Sequence, residues 1–310
     1  MRKWLILLVL ATVGATCART ASAMPFAQTP AEPGRAVTDE TGRHMTVPMN
    51  VRRIVSLAPN LTEIVYDLGA GDLLVGDTDF CDTPAAAKSK PHVGNPQKPS
   101  LEAIVALHPD LVLATASINA PETADTLLKL GIAVYTTYPH TVRQMLDSIS
   151  EIGALIGANE QGDSLKASLR ARLDALQTKL ADQPLAHVLF LVWATPPMSV
   201  GPNTFIADAL RWAGAESVLV THQDWPTPTF EEILRIQPDY IVLTTDHEGD
   251  TSGAAQLRAD PDWKGLMAVQ SNRIVTVNDR FDRPSPGLVD AIEQLAHDLH
   301  PEAFLPAVNQ

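Results

Sequence analysis

The sequence predicts an α/β protein of two Rossmann-like lobes with central parallel sheets. A single long rigid α-helix joins them, and a ligand cleft lies between. Three observations carry this. Short apolar, often β-branched runs alternate with helical segments, the order that gives a parallel sheet covered on both faces. That order occurs twice. One uninterrupted amphipathic pattern separates the two occurrences.

The N-terminus comes first. Arg2 and Lys3 precede an apolar run from Trp4 to Val13, and Ala21-Ser22-Ala23 offers a small-x-small cleavage site. This predicts a secretory signal over residues 1–23 and export of the mature chain. Cys17 raises a lipid anchor as the lesser alternative, because Gly14-Ala15-Thr16 lacks the aliphatic residue usual before a lipidated cysteine. No later segment approaches the roughly 18 consecutive apolar residues of a membrane span. The 310-residue chain holds 36 acidic and 23 basic side chains, a formal charge of −13. Cleavage after Ala23 removes Arg2, Lys3 and Arg19 and brings the charge to −16. Such an acid excess argues against nucleic acid as a partner. Cleavage also leaves Cys81 alone, so no intramolecular disulfide is available.

Residues 24–50 read as an extended lead-in with a short hairpin around Gly42, and residues 51–158 as an N-terminal lobe. Strands are predicted at Ile54 to Leu57, Leu73 to Gly76, Leu111 to Ala114 and Ile132 to Tyr135. Helices are predicted at Leu61 to Leu68, capped by Asn60 or Thr62 and stopped at Gly69, then at Leu101 to Leu107 and Thr123 to Leu130. Over residues 159–183, Leu165, Leu169, Leu173, Leu176 and Leu180 fall on one helix face. A helix of about 20 residues spans about 30 Å. It reads as a strut that holds the lobes apart and limits closure. Residues 184–310 repeat the order. Strands are predicted at Val188 to Val192, Val218 to Val220, Ile241 to Leu243 and Ile274 to Val277, with helices at Phe205 to Trp212, Glu231 to Ile236 and Leu288 to Leu299. The repeat is visible residue by residue. Ser100 to Thr115 lies over Thr229 to Thr244, sharing Glu102 or Glu231, six residues, Pro109-Asp110 or Pro238-Asp239, and an apolar strand.

Ligands of parallel α/β sheets bind beyond the carboxyl ends of the strands. That selects the loops Ala58–Asn60, Asp77–Asp82, Thr115–Asn119 and Thr137–His140 in the first lobe. In the second it selects Trp193–Asn203, Thr221–Pro228, Thr245–Glu248 and Asn278–Pro286. Phe80, Trp193, Trp225 and Phe281 stand in these loops, and rings there suit a flat or bulky ligand. Trp212 and Trp263 read as packing residues. The glycine-rich dinucleotide and phosphate motifs, the zinc-protease motif and the hydrolase elbow are all missing. Cys81 and His92 lack a third catalytic group. His140, His222 and His247 could ligate iron, but no pair has helical metal-ligand spacing. Asp246-His247-Glu248 reads as a solvated loop. A binding protein is expected rather than an enzyme, with neither a dedicated metal site nor a resident cofactor.

From Arg53 to Pro306 the chain resembles the periplasmic substrate-binding proteins of ABC importers for vitamin B12, iron-siderophores and haem. The segments that carry this are Ile54 to Glu63, Asp79 to Pro84, Leu101 to Leu113, Gly201 to Ile206 and Arg283-Pro284-Ser285-Pro286. The strongest likeness is to the cobalamin-binding branch. Pro96 departs from it, standing where that branch often carries tryptophan, and the disulfide of some members is missing. The resemblance implies a monomer that captures a corrinoid, with haem or a ferric siderophore as same-class alternatives, and delivers it to the transmembrane subunits of an ABC permease. It implies that Glu102 and Glu231 dock onto permease arginines, that Phe80 contacts the corrin and that Arg283 flanks the pocket. Cys81, Trp193, Trp225 and Phe281 complete the expected ligand-binding set. An exported enzyme on the same scaffold is the remote alternative.

Overall fold

Apolar runs of the sequence pair into two four-stranded parallel sheets in the computed structural model, which describes residues 33–245 and 252–305. The first lobe opens with a hairpin, β1 (Gly34–Thr38) and β2 (His44–Pro48). It continues with β3 (Ile54–Ser56), α1 (Pro59–Asp67), β4 (Leu74–Gly76), a small ribbon of β5 (Gly94–Asn95) and β6 (Lys98–Pro99), and α2 (Leu101–Ala106). Then follow β7 (Leu111–Thr115), α3 (Pro121–Lys129), β8 (Ala133–Thr137) and α4 (Val142–Ile156). The linking helix is α5 (Asn159–Leu180). The second lobe runs β9 (Ala186–Leu191), the ribbon β10 (Trp193–Ala194) and β11 (Pro197–Met198), α6 (Phe205–Trp212), β12 (Ala215–Ser217) and α7 (Phe230–Ile236). It ends with β13 (Tyr240–Thr245), α8 (Ser252–Ala259), α9 (Met267–Gln270), β14 (Ile274–Asn278) and α10 (Gly287–Leu299).

The sheets have strand orders β4-β3-β7-β8 and β12-β9-β13-β14. In sequence rank each is second, first, third, fourth, so the duplication read from the Pro-Asp frame extends to the topology. The repeated helix starts also match. Ser100 Oγ accepts from the Ala103 N–H and Thr229 Oγ1 from the Glu232 N–H, both at 3.2 Å.

Several elements depart from expectation. Helix α1 starts at Pro59 after Ala58, with no side-chain cap. Asn60 and Thr62 are both buried and point elsewhere. The second strand of the C-terminal lobe is Ala215–Ser217 rather than Val218 to Val220, and Val220 is fully exposed. The hairpin around Gly42, by contrast, is as expected: β1 pairs with β2 across a turn with Gly42 at φ 85°, and Met45 and Val47 bury it in the first lobe.

Helix α5 links the lobes, but it does not stand free between them. Leu169, Leu173, Leu176 and Leu180 are buried, and Leu165 is half-buried. They belong to one apolar cluster that also holds Ile54 and Leu111 of the first sheet and Val188 and Phe190 of the second. The lobes therefore share a core along the helix. Each buried leucine contributes about 1.5–3 kcal/mol, so rigidity comes from this burial more than from helix length. Polar ties flank it. Lys166 reaches Asp147 of α4 at 2.7 Å, and Arg172 donates to Asp290 and Glu293 of α10, each at 2.6 Å. On α4 and α5 a close approach requires glycine. A Cβ on Gly153 would sit 2.9 Å from the Ala158 carbonyl oxygen and 3.1 Å from Gly162 Cα.

Candidate functional site

In each sheet the first and third strands in sequence are neighbours, with the second on the far side of the first. A crevice opens there, beyond the carboxyl ends of the strands. In the first lobe it lies past β3 and β7. Asn119 ties the crevice loops together. Its Oδ1 accepts from the Thr115 N–H at 2.7 Å, and its Nδ2 donates to the Leu57 carbonyl at 2.9 Å and the Pro96 carbonyl at 2.8 Å. The lead-in hairpin supports the next loop. Glu40 accepts the Tyr138 N–H at 2.5 Å and the Ser148 hydroxyl at 2.6 Å. Burial pushes the Glu40 carboxyl above its usual range, and these hydrogen bonds pull it back.

In the second lobe, Gly201-Pro202-Asn203-Thr204-Phe205 builds the wall. Gly201 donates its N–H to the Asp224 carbonyl at 2.9 Å. A Cβ there would lie only 1.8 Å from the Gln223 carbonyl oxygen, so glycine is what lets the Trp225 loop come in. Thr204 Oγ1 donates to the Gly201 carbonyl at 2.9 Å and caps α6 by accepting from the Ala207 N–H at 3.2 Å. The turn that seats Trp225 thus also starts a helix.

Between these walls lies a cavity of about 410 Å³. From the first lobe Asn60, Tyr138 and His140 line it, and from the second Asn203, Trp225 and Arg283. Apart from Thr204 and Phe205, every lining residue lies in a loop picked out by the strand-end rule. Its floor is a polar clamp across the lobes. Ser285 donates to the buried Glu63 Oε2 at 2.8 Å, Arg283 Nη1 lies 3.7 Å from Glu63 Oε1, and Asn60 Nδ2 reaches the Pro284 carbonyl at 3.5 Å. Burial raises the Glu63 carboxyl, opposed by Ser285 and Arg283. Arg283 also pairs with Asp279. Among the described lining residues Arg283 is the one Lys or Arg, whereas Asp224 and Asp282 add acid.

The expected ligand-binding residues divide. Trp225 lines the cavity and is half exposed, and Arg283 lines it too. Phe281 does not. It is fully buried and stacks on Phe190 of β9, ring centroids 5.6 Å apart, because its place in a short 3₁₀ turn aims it under α10 rather than outward. Cys81 is also buried. Its sulfur lies 3.2 Å from both Thr62 Oγ1 and Thr78 Oγ1, pinning the Asp77–Asp82 loop to α1, and burial raises its thiol pKa. It supports the loop without facing a ligand. Phe80, on that loop, is exposed but does not line the cavity. Trp193 is exposed and borders a different cavity of about 560 Å³ inside the second lobe. His222 is exposed and also outside the lining. His247, with the Asp246-His247-Glu248 loop, lies outside the described residues. Glu102 and Glu231 are exposed, each the second residue of a capped helix. Helices α2 and α7 lead into β7 and β13, so their N-termini lie at the cleft end of each sheet.

Missing from the sequence reading were Glu63, Ser285 and the support given by Glu40. Glu63 and Ser285 fell inside segments already marked by resemblance, and an acid amid the apolar residues of α1 was the available signal. Nothing in the sequence signalled the Glu40 contact.

Two repeated α/β lobes, a shared spine and a cleft bounded by both define a solute-binding protein of the two-lobed, helix-linked kind. The chain belongs to the periplasmic binding protein family, whose model matches residues 54–281. It is 30% identical over 277 residues, 86% of each chain, to YvrC of Bacillus subtilis, an uncharacterized ABC transporter substrate-binding lipoprotein. The structure of BtuF, the periplasmic vitamin B12 binding protein of Vibrio cholerae, matches at TM-score 0.71 and 27% identity, covering 82% of this chain and 99% of that one. BhuT, a periplasmic haem-binding protein solved with two haems, matches at TM-score 0.73 and 25% identity, over 82% and 99%. Among the described residues no helix is long and apolar enough to cross a membrane.

Proposed function

We propose that the chain is the periplasmic solute-binding component of an ABC importer, and that it captures a corrinoid, cobalamin, and presents it to an inner-membrane permease. The observation that carries the choice of ligand is the charge of the cleft. Among the described residues its one lining arginine is already engaged by Asp279 and Glu63, and the remaining polar groups are amides, hydroxyls, acids, the Trp225 indole and the His140 imidazole. A corrin ring fringed with primary amides asks for hydrogen-bond partners and apolar contact. Haem propionates and anionic siderophores ask for cations. Trp225 and Tyr138 supply ring faces. Haem is the second reading, favoured by His140 in the lining. It predicts a Soret shift with haemin that is lost in His140→Ala. Calorimetry of mature protein with cyanocobalamin tests the main reading. Saturable binding supports it, and no heat at high micromolar ligand refutes it.

Delivery rests on Glu102 and Glu231. They are related by the repeat, exposed, and placed at the end of the lobes where the cleft lies, which suits a basic permease surface. The reading includes export through a signal peptide cleaved after Ala23, with a lipid anchor at Cys17 as the alternative that the Bacillus subtilis lipoprotein keeps open. It also includes a monomeric carrier without enzymatic activity.

A further inference from the structure

The corrinoid reading leaves one cleft residue without a role, and its chemistry is specific. His140 stands between β8 and α4 and is held from both sides. The Tyr138 N–H is bound by Glu40, Pro139 is buried, the His140 N–H donates to Gln144 Oε1 at 2.7 Å, and Thr141 caps α4 by accepting from the Gln144 N–H at 3.1 Å. The Tyr138 ring meets the imidazole edge-on, centroids 4.2 Å apart at 67°. Among the described residues neither ring nitrogen of His140 has a hydrogen-bond partner. An exposed imidazole on a hydrogen-bonded loop, lining a ligand cavity and not committed to another side chain among the described residues, can offer a ring nitrogen to a metal carried by the ligand. The described lining offers otherwise carboxylates, hydroxyls and amides, which are harder donors than imidazole.

We propose that His140 ligates the cobalt of the bound corrinoid. The inference rests on the corrinoid reading and goes beyond it by dividing corrinoids into two classes. A cobalamin with an exchangeable water on the open face of cobalt(III) accepts the imidazole. The nitrogen lone pair forms the Co–N bond, the Co–O bond breaks, and water leaves as a neutral molecule. The cobalt oxidation state is unchanged and no proton moves. A cobalamin whose face is blocked by cyanide binds through the cleft walls alone.

The experiment is ultraviolet–visible titration of aquacobalamin and cyanocobalamin with the full mature protein, with calorimetry on the same samples to establish saturation. Wild-type protein should shift the aquacobalamin bands toward those of an imidazole-ligated cobalt and leave cyanocobalamin unshifted. His140→Ala and His140→Phe, the second keeping a ring against Tyr138, should give no shift at saturating aquacobalamin. His222→Ala should keep the shift. Wild-type protein that binds cyanocobalamin yet leaves saturating aquacobalamin unshifted would overturn the ligation and spare the corrinoid reading. A shift that persists in His140→Phe would assign it to another donor and also overturn the proposal. Binding of neither corrinoid would overturn both readings.

Discussion

Phe281 and Trp225 both looked like cleft aromatics in the sequence, but the structure buries the first and sets the second on the cavity wall, and substitution to alanine separates the roles these positions predict. Phe281 is fully buried against Phe190. Its truncation removes a core ring and leaves a cavity, a change that costs about 3–5 kcal/mol. At about 2–4 °C per kcal/mol for a chain of this size, the unfolding midpoint should fall by roughly 6–20 °C. Trp225 is 49% exposed, so about 100 Å² of a large aromatic surface remains for a ligand to cover. At about 25 cal/mol/Å² that is about 2.5 kcal/mol, an upper figure because part is lost to ordering. Trp225→Ala should weaken ligand binding about 10- to 70-fold, with the midpoint within about 2 °C of wild type. Thermal unfolding by circular dichroism and calorimetric titration with cyanocobalamin, on both variants, read the two effects. An unchanged midpoint with lost affinity in Phe281→Ala would put that ring in the cleft and refute the assignment. Unchanged affinity in Trp225→Ala would refute the role given to the Gly201-supported loop.

Other expectations follow from the same geometry. Gly201→Ala should push the Trp225 loop outward and weaken ligand binding by at least tenfold, read by calorimetry, while α6 retains its Thr204 cap and the far-ultraviolet spectrum is preserved. Changing both Glu102 and Glu231 to alanine should abolish ligand uptake in cells while affinity of the purified protein persists, and lost affinity would move those residues to the pocket. Asp77 is buried and paired with His92 at 2.9 Å, and burial raises its carboxyl to about 6. A raised carboxyl holds its proton in the folded state, so its contribution to stability is full below about pH 4 and lost as pH rises through about 6. Asp77→Asn should flatten that part of the stability profile, measured by urea unfolding from pH 4 to 7, and a slope unchanged from wild type would contradict it.

Much of the fold was legible because its signals are local and repeated. Strand runs, glycine stops and the Pro-Asp frame each fix a short element, and two copies in the same order fix the topology. The cleft loops were legible for the same reason, since strand ends decide them. What escaped depends on contacts between distant segments. Phe281 and Trp225 have similar surroundings in sequence, and only the stacking on Phe190 sends one inward. The Val218 to Val220 run is β-branched and apolar, yet β12 forms at Ala215–Ser217, where it pairs with the start of β9. Asn60 carries the chemistry of a helix cap, but the opposite lobe takes its side chain. The strut was found, but not that it is held in a core common to both lobes, because the amphipathic pattern cannot say which elements cover its apolar face.

The central claim is that the cleft between the lobes carries a corrinoid. Native mass spectrometry of the protein taken from its own periplasm tests it most directly, since the bound mass is read with no ligand chosen in advance. The account predicts a complex heavier than the mature chain by the mass of a corrinoid, lost on mild activation. A complex carrying the mass of haem or of a ferric siderophore would contradict it.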